Sequence, residues 1–149
     1  MPLRGIPNQI SPELLKTLAE MGHGDEIILA DAHFPTASVC THGPRHLRAD
    51  GLGAAELLRG IMQLFPLDQY VDCPVAKMEL EPSDKKKNLP TPIWDTYQSI
   101  LNEAEKSNVQ IEKVERFAFY ERANKAFAIV HTGECQQYAN IILKKGCLI

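Results

Sequence analysis

The sequence predicts a single α/β domain in which helices cover a sheet, and three observations predict it. Amphipathic helical stretches alternate with short apolar runs along most of the chain, which is the pattern of layered α/β folds. One of those runs, "EIILA" (26–30), is apolar almost throughout, as expected of a strand buried on both faces. The 149 residues are 44% hydrophobic and 23% charged, an ordinary globular balance that argues against disorder. A chain of this length buries about 68–70% of its unfolded surface, enough for one core. No internal repeat, low-complexity tract or linker divides it, so residues 1–149 read as one domain.

The elements follow in order. Ser11-Pro12-Glu13 starts a helix: a hydroxyl to cap free amides, then proline where its missing N–H does no harm. Leu14, Leu15, Leu18 and Met21 share one face of that helix, and Gly22 is expected to stop it. "EIILA" is the buried strand, and Pro35 is expected to end regular structure after it. "HLRAD" (46–50) reads as a short strand. "GAAELLRGIMQLFP" (53–66) carries Leu57, Leu58, Ile61, Met62 and Phe65 at helical spacing. "PVAKMEL" (74–80) alternates as a strand does, and "EPSDKKKNLPTP" (81–92) reads as a polar loop. Thr91-Pro92 repeats the capping device before a helix striped by Ile93, Tyr97, Ile100 and Leu101. "RFAFYERANKA" (116–126) is a further helix, and residues 127–146 read as two strands around Thr132-Gly133.

Composition excludes several classes of function. A net charge of −3 argues against binding a phosphate backbone, and Lys85–Lys87 beside Asp84 reads as a solvated loop, so no nucleic-acid partner is expected. No apolar run approaches membrane-spanning length, and the first residues lack the apolar stretch of a signal peptide. Cys40, Cys73, Cys135 and Cys147 form no CxxC pair, which fits reduced thiols in a cytoplasmic protein. "GLGAAE" (51–56) lacks the third glycine and a clear preceding strand of a dinucleotide fingerprint, and reads as a helix N-terminus. Cys40, His42 and His46 in "CTHGPRH" have a Gly-Pro break between them and no second ligand pair, so no metal is expected. No G-x-S-x-G elbow and no P-loop occurs.

What remains are polar residues at element ends. His23 stands between Gly22 and Gly24, where a sharp turn leaves an imidazole accessible; the plain alternative is a surface-loop histidine. Asp31 ends the buried strand, at the carboxyl edge where α/β sheets collect ligands; the alternative is a solvated acid. Arg116 and Tyr120, four apart, share a helix face. Tyr138 and Asn140 alternate in "YANIIL", which puts both side chains on one side of the expected strand, either as a ligand wall or as a solvent face.

These segments belong together. "GHGDEIILADAHFP", "LRADGL", "RFAFYERANKAFAIV", "TGE" and "YANIILKKG" resemble the family of ribose pyranase and fucose mutarotase, over residues from about Ile10 to Gly146. The "RFAFYERA" form resembles the fucose branch. The resemblance implies a cofactor-free isomerase that interconverts the anomers of a free monosaccharide, L-fucose. It also implies a three-layer α/β/α sandwich with a mixed, largely parallel sheet and ring-shaped homo-oligomers, decameric in bacterial members. By matching motifs, His23 falls at the family's proton donor, and Asp31, Arg116, Tyr120, Tyr138 and Asn140 fall at substrate-contacting positions.

The chemistry suits those residue types. Mutarotation delivers a proton to the ring oxygen and removes one from the anomeric hydroxyl, which is general acid–base work. His23 is the expected acid. Asp31 either holds a hydroxyl or acts as the base, and Tyr120 could relay a proton, although a phenol near pKa 10 is a poor unaided base. Arg116 and Asn140 can fork onto vicinal hydroxyls. Phe119 and Trp94 are candidates for the apolar wall that the C6 methyl of fucose needs. Eight residues separate His23 from Asp31, roughly 26 Å at full extension. Either the "GHGD" loop doubles back, or the pocket takes His23 from one chain and Asp31 from another; a site at a subunit interface is the expectation. The rival readings are a ribose-type pyranase and a sugar-binding regulatory module without catalysis.

Overall fold

The computed structural model describes all residues from Met1 to Ile149. Its order of elements is α1 (Pro12–Glu20), β1 (Glu26–Ala30), α2 (Thr36–Val39), a 3-10 turn (Cys40–His42), β2 (Arg45–Ala49), α3 (Ala54–Met62), β3 (Val75–Met78), α4 (Pro82–Lys86), α5 (Pro92–Glu105), β4 (Ile111–Val114), α6 (Arg116–Asn124), β5 (Ala128–Thr132) and β6 (Ile141–Lys144). The six strands form one sheet in the order β2-β5-β1-β6-β3-β4. Three neighbouring pairs are parallel (β1 with β5, β2 with β5, β3 with β4) and the two pairs that include β6 are antiparallel. The sheet is therefore mixed and largely parallel.

Side chains alternate across a strand, and β1 shows what that alternation builds. Ile27 and Leu29 enter one core, packed with Leu14 and Leu18 of α1, Leu57 and Ile61 of α3, and Tyr97 and Leu101 of α5. Ile28 and Ala30 enter the other, with Phe119 and Ala123 of α6 and Phe34. All four strand residues are fully buried, each large one contributing about 1.5–3 kcal/mol. Helices thus lie on both faces of the sheet, the three-layer α/β/α arrangement, and the unbroken apolar run follows from it. Arg122 ties α6 across the sheet's end, donating to Glu26 of β1 (2.5 Å) and Glu112 of β4 (2.6 Å).

Several expectations are corrected. Ser11 caps α1 through Leu14 N–H at 3.1 Å, but Thr91 makes no such side-chain bond to α5. The left-handed turn after α1 falls on Gly24 (φ +88°), while α1 stops one step earlier, at an extended Met21. Pro35 starts a short helix, α2, and Lys85 and Lys86 lie in α4 inside what reads as a loop. Strand β4 carries too few apolar residues for its alternation to register. Strands β5 and β6 do not pair with each other; β1 runs between them, so residues 133–140 cross the sheet edge as a loop. Tyr138 and Asn140 lie in that loop, outside β6. "GLG" does follow a strand, β2, and precedes α3. The Glu134 carboxylate accepts the first α3 amide, from Ala54 at 3.2 Å, and so stands where a phosphate would bind.

Candidate functional site

The carboxyl end of β1 opens into a cavity of about 230 Å³ between α6, α4 and the 133–140 loop. Asp31, Arg116, Tyr120, Tyr138 and Asn140 all line it. Asp31 is 3% exposed. Its N–H donates to Asn140 Oδ1 (2.8 Å) and its Oδ1 accepts His33 N–H (3.0 Å), so Asn140 braces the backbone that presents the carboxylate. Burial pushes the Asp31 carboxyl above its usual range, partly offset by the His33 amide.

The 138–140 segment is pinned from outside. Tyr138 has φ +59°, an uncommon conformation for a bulky residue. Three bonds hold it: its hydroxyl donates to Asp84 Oδ2 (2.6 Å) and accepts Glu81 N–H (3.0 Å), and its carbonyl accepts Trp94 Nε1–H (2.8 Å). Tyr97 adds a bond from its buried hydroxyl to Ala139 O (2.6 Å). Desolvation, then Asp84, raise the Tyr138 phenol above its ordinary value, so it remains a donor at neutral pH. Arg116 lies over the Tyr120 ring (5.7 Å) and reaches Glu81 (3.4 Å). Neither expected wall residue faces the cavity. Phe119 is fully buried in the core beneath it, and the Trp94 indole braces Tyr138 from behind. The apolar lining is Phe34 and Met78 instead.

His23 stands elsewhere. The five residues of β1, roughly 16 Å of strand, separate its loop from Asp31. Its Nε2 meets Asp68 Oδ1 at 2.9 Å, and Tyr70 N–H donates to the same oxygen at 3.0 Å. The Asp68 side chain is 4% exposed and the imidazole 45%. The Tyr70 amide, with His23 beside it, holds the Asp68 carboxyl below its usual range, so the carboxylate stays ionised. The Tyr70 ring packs 5.3 Å from the imidazole. This groove of about 470 Å³ is mostly apolar, lined by residues such as Leu15, Leu18 and Phe65. Within one chain the structure thus gathers five of the six predicted residues and leaves the sixth at the opposite end of the central strand. Sequence reasoning missed Asp68, His33, Asp84 and Glu81. Asp68 lies in "FPLDQY", where one acid has no spacing to mark it, and its role appears only when the strand ends are assembled.

A wider groove of about 610 Å³ between α3 and α5 offers Arg59 and Glu103 at its rim and no buried titratable group. No group of three or more His, Cys, Asp or Glu side chains stands in metal-holding geometry. No helix is long and apolar enough to cross a membrane.

Residues 4–148 match the RbsD / FucU transport protein family. The fucose mutarotase of Mus musculus is 60% identical over 146 residues, 98% of this chain and 95% of that one. The fucose mutarotase of Homo sapiens is 56% identical over 146 residues, 98% of this chain and 94% of that one. The solved fucose mutarotase of Streptococcus pneumoniae in complex with L-fucose superposes with a TM-score of 0.89 at 48% identity, covering 99% of this chain and 100% of that one. Bacillus subtilis RbsD complexed with D-ribose shares the fold, with a TM-score of 0.73 at 24% identity over the whole of both chains. With the family matched over residues 4–148 and the fold shared over nearly the whole chain, this chain belongs to the RbsD / FucU family.

Proposed function

We propose that this chain interconverts the α and β anomers of L-fucose by acid–base opening and closing of the pyranose ring. The observation that carries the reading is the small polar cavity at the end of β1, in a chain similar over nearly its whole length to fucose mutarotases. Arg116, Asn140 and Tyr138 supply the donors and acceptors that sugar hydroxyls need when they leave water. Phe34 and Met78 receive the C6 methyl.

The buried Asp31 carboxylate, made more basic by burial, takes the proton of the anomeric hydroxyl. His23 delivers the proton to the ring oxygen. Its Nε2 is committed to Asp68, so Nδ1 is the nitrogen that gives and takes the proton. Tyr120 orders the Arg116 guanidinium beneath the sugar and is the second candidate for a relay. Closing the ring after rotation about C1 reverses both transfers and yields the other anomer.

A sugar far smaller than the span of β1 cannot meet both residues of one chain. The complete pocket is therefore assembled between two copies, His23 from one and Asp31 from the next. The two surfaces differ, so the contact is head-to-tail, the kind that builds a ring when its rotation closes. Four unpaired cysteines suit a reducing compartment, and a cytoplasmic location is part of the same proposal.

Saturation-transfer NMR tests the function: the α-anomer proton of L-fucose is irradiated and the β signal followed. Protein-dependent exchange is the expected result; binding without exchange would reduce the chain to a sugar-binding module. Dilution until light scattering reports single chains is expected to abolish exchange. Full activity there overturns the shared site.

A further inference from the structure

We propose that Lys145 is a positioning residue for His23, holding the loop of residues 21–25 in the geometry the proton donor needs. The inference rests on the reading of His23 as the acid.

The loop is short and contains two glycines, so its backbone has many alternatives to its native path. Internally it is closed by two bonds, Gly22 N–H to Asp25 Oδ2 (2.7 Å) and Asp25 N–H to Gly22 O (3.1 Å). Apart from the His23–Asp68 side-chain bond, which is the contact to be positioned, every remaining anchor of its backbone outside α1 comes from one residue. On the exit side the Lys145 backbone brackets the turn: its carbonyl accepts Gly24 N–H (2.8 Å) and its N–H donates to Asp25 O (2.8 Å). On the entry side its ammonium donates to Leu18 O (2.7 Å) and Met21 O (2.5 Å). Lys145 therefore grips both ends of the segment that displays the imidazole.

The placement has an electrostatic reason. Helix α1 has no basic residue in its last turn. Its terminal carbonyls carry the negative end of the helix dipole, and Lys145 brings a cation to them from the far end of the chain. The same strand end also supports the partner of the acid. Lys144 O accepts Asp68 N–H at 3.0 Å, so residues 144–145 carry both His23 and the carboxylate that orients it. A shift there changes the distance between imidazole and sugar, and a misplacement of about 1 Å can cost roughly 100-fold in rate.

Lys145→Met, Lys145→Gln and Lys145→Arg test this in the full-length protein. Exchange is measured at saturating L-fucose, sugar affinity by titration, and the His23 Cε1–H resonance through its titration, with exposed His46 as the internal reference. In Lys145→Met the exchange rate is expected to fall roughly 10- to 100-fold with sugar affinity unchanged. The His23 resonance is expected to move while His46 does not, and Lys145→Arg, which still donates to carbonyls, is expected to recover most of the rate. In a His23→Ala background the Lys145→Met change should add no further loss. Unchanged exchange with an unmoved His23 resonance overturns the inference, and so does a loss that shows equally in the His23→Ala background. Should Lys145→Met not fold, Lys145→Gln carries the same readouts on a shorter stem. If His23→Ala itself keeps full exchange, it is the acid assignment that fails; the His23 resonance in Lys145→Met then decides separately whether the clamp exists.

Discussion

The two ends of β1 contrast in almost every property. At the carboxyl end Asp31 is buried, its backbone braced by Asn140, and the residues around it converge on a shallow cavity lined mostly by polar residues. At the amino end His23 is half open to solvent on a two-glycine turn, beside a buried carboxylate and an apolar groove. In the proposed reaction the first holds hydroxyl groups in a fixed arrangement and the second exchanges protons. A carbohydrate isomerised by proton transfer needs both kinds of surface at once, and the fold separates them by the length of its central strand. On the proposed function, that difference makes an isolated chain two half-sites.

The strongest test of that contrast is complementation. His23→Ala removes the proposed acid and is expected to slow exchange by about 10²- to 10⁴-fold while leaving sugar binding in place. Asp31→Asn removes the proposed base at the other end, with an expected loss of similar order. Neither variant is expected to be appreciably active alone. When the two are dissociated, mixed and reassembled, about a quarter of the interfaces should pair an intact His23 with an intact Asp31, given random head-to-tail association. Recovery of exchange towards that fraction is the expected outcome. No recovery, with mixed assemblies demonstrated, places the whole reaction within one chain.

How much of this was legible beforehand depends on the distance over which each feature is encoded. The helices with apolar stripes, α1, α3 and α5, and the buried strand β1 are written locally as periodicity, and each was readable. The cavity residues Arg116 and Asp31 sit at element ends whose signals are equally local. Strand β4 is hidden because "IEKV" buries little surface, and the two strands expected around Thr132-Gly133 are present as β5 and β6, while sequence order says nothing of β1 inserted between them. Tyr138 and Asn140 were found for an incomplete reason: they belong to the wall, but a loop held by Trp94, Tyr97 and Asp84 puts them there, not strand alternation. Asp68 depends on a contact across 45 residues, beyond any local signal.

Asp68 gives a smaller effect at the open end. Asp68→Asn keeps the shape but weakens the hold on the imidazole, and exchange is expected to fall about tenfold. The folded Asp68 carboxyl lies below its ordinary value of 3.8. Its contribution to stability is therefore present above pH 3.8 and is lost as pH falls through the lower folded value. Wild type should be more stable than Asp68→Asn at neutral pH, with the gap closing under strong acid. Urea titrations across that range measure it.

Asp31 has the opposite sign. Burial raises its folded pKa above 3.8, so the charged form is disfavoured in the native state, and stability present at low pH is lost as pH rises through the folded value. Asp31→Asn keeps an oxygen for the His33 amide and removes the charge. It should melt higher than wild type at neutral pH and match it in acid, while losing activity. A variant that melts lower at neutral pH would show that the carboxylate is stabilised in its cavity, and the contrast between the two ends would then lose its electrostatic half.

Tyr138→Phe produces the smallest change and separates holding from proton transfer within the cavity itself. The hydroxyl joins Glu81 N–H to Asp84 Oδ2, and the change leaves both groups without that partner. Both lie where water can reach them, so the cost in stability is about 1 kcal/mol. The raised phenol pKa keeps the proton on the oxygen at neutral pH, which suits a brace and not a relay. Exchange at saturating sugar should therefore change little while KM rises a few-fold as the left-handed turn loosens. A fall of about 10² in the saturated rate would move Tyr138 from wall to relay, and the carboxyl end of β1 would then transfer protons as well as bind.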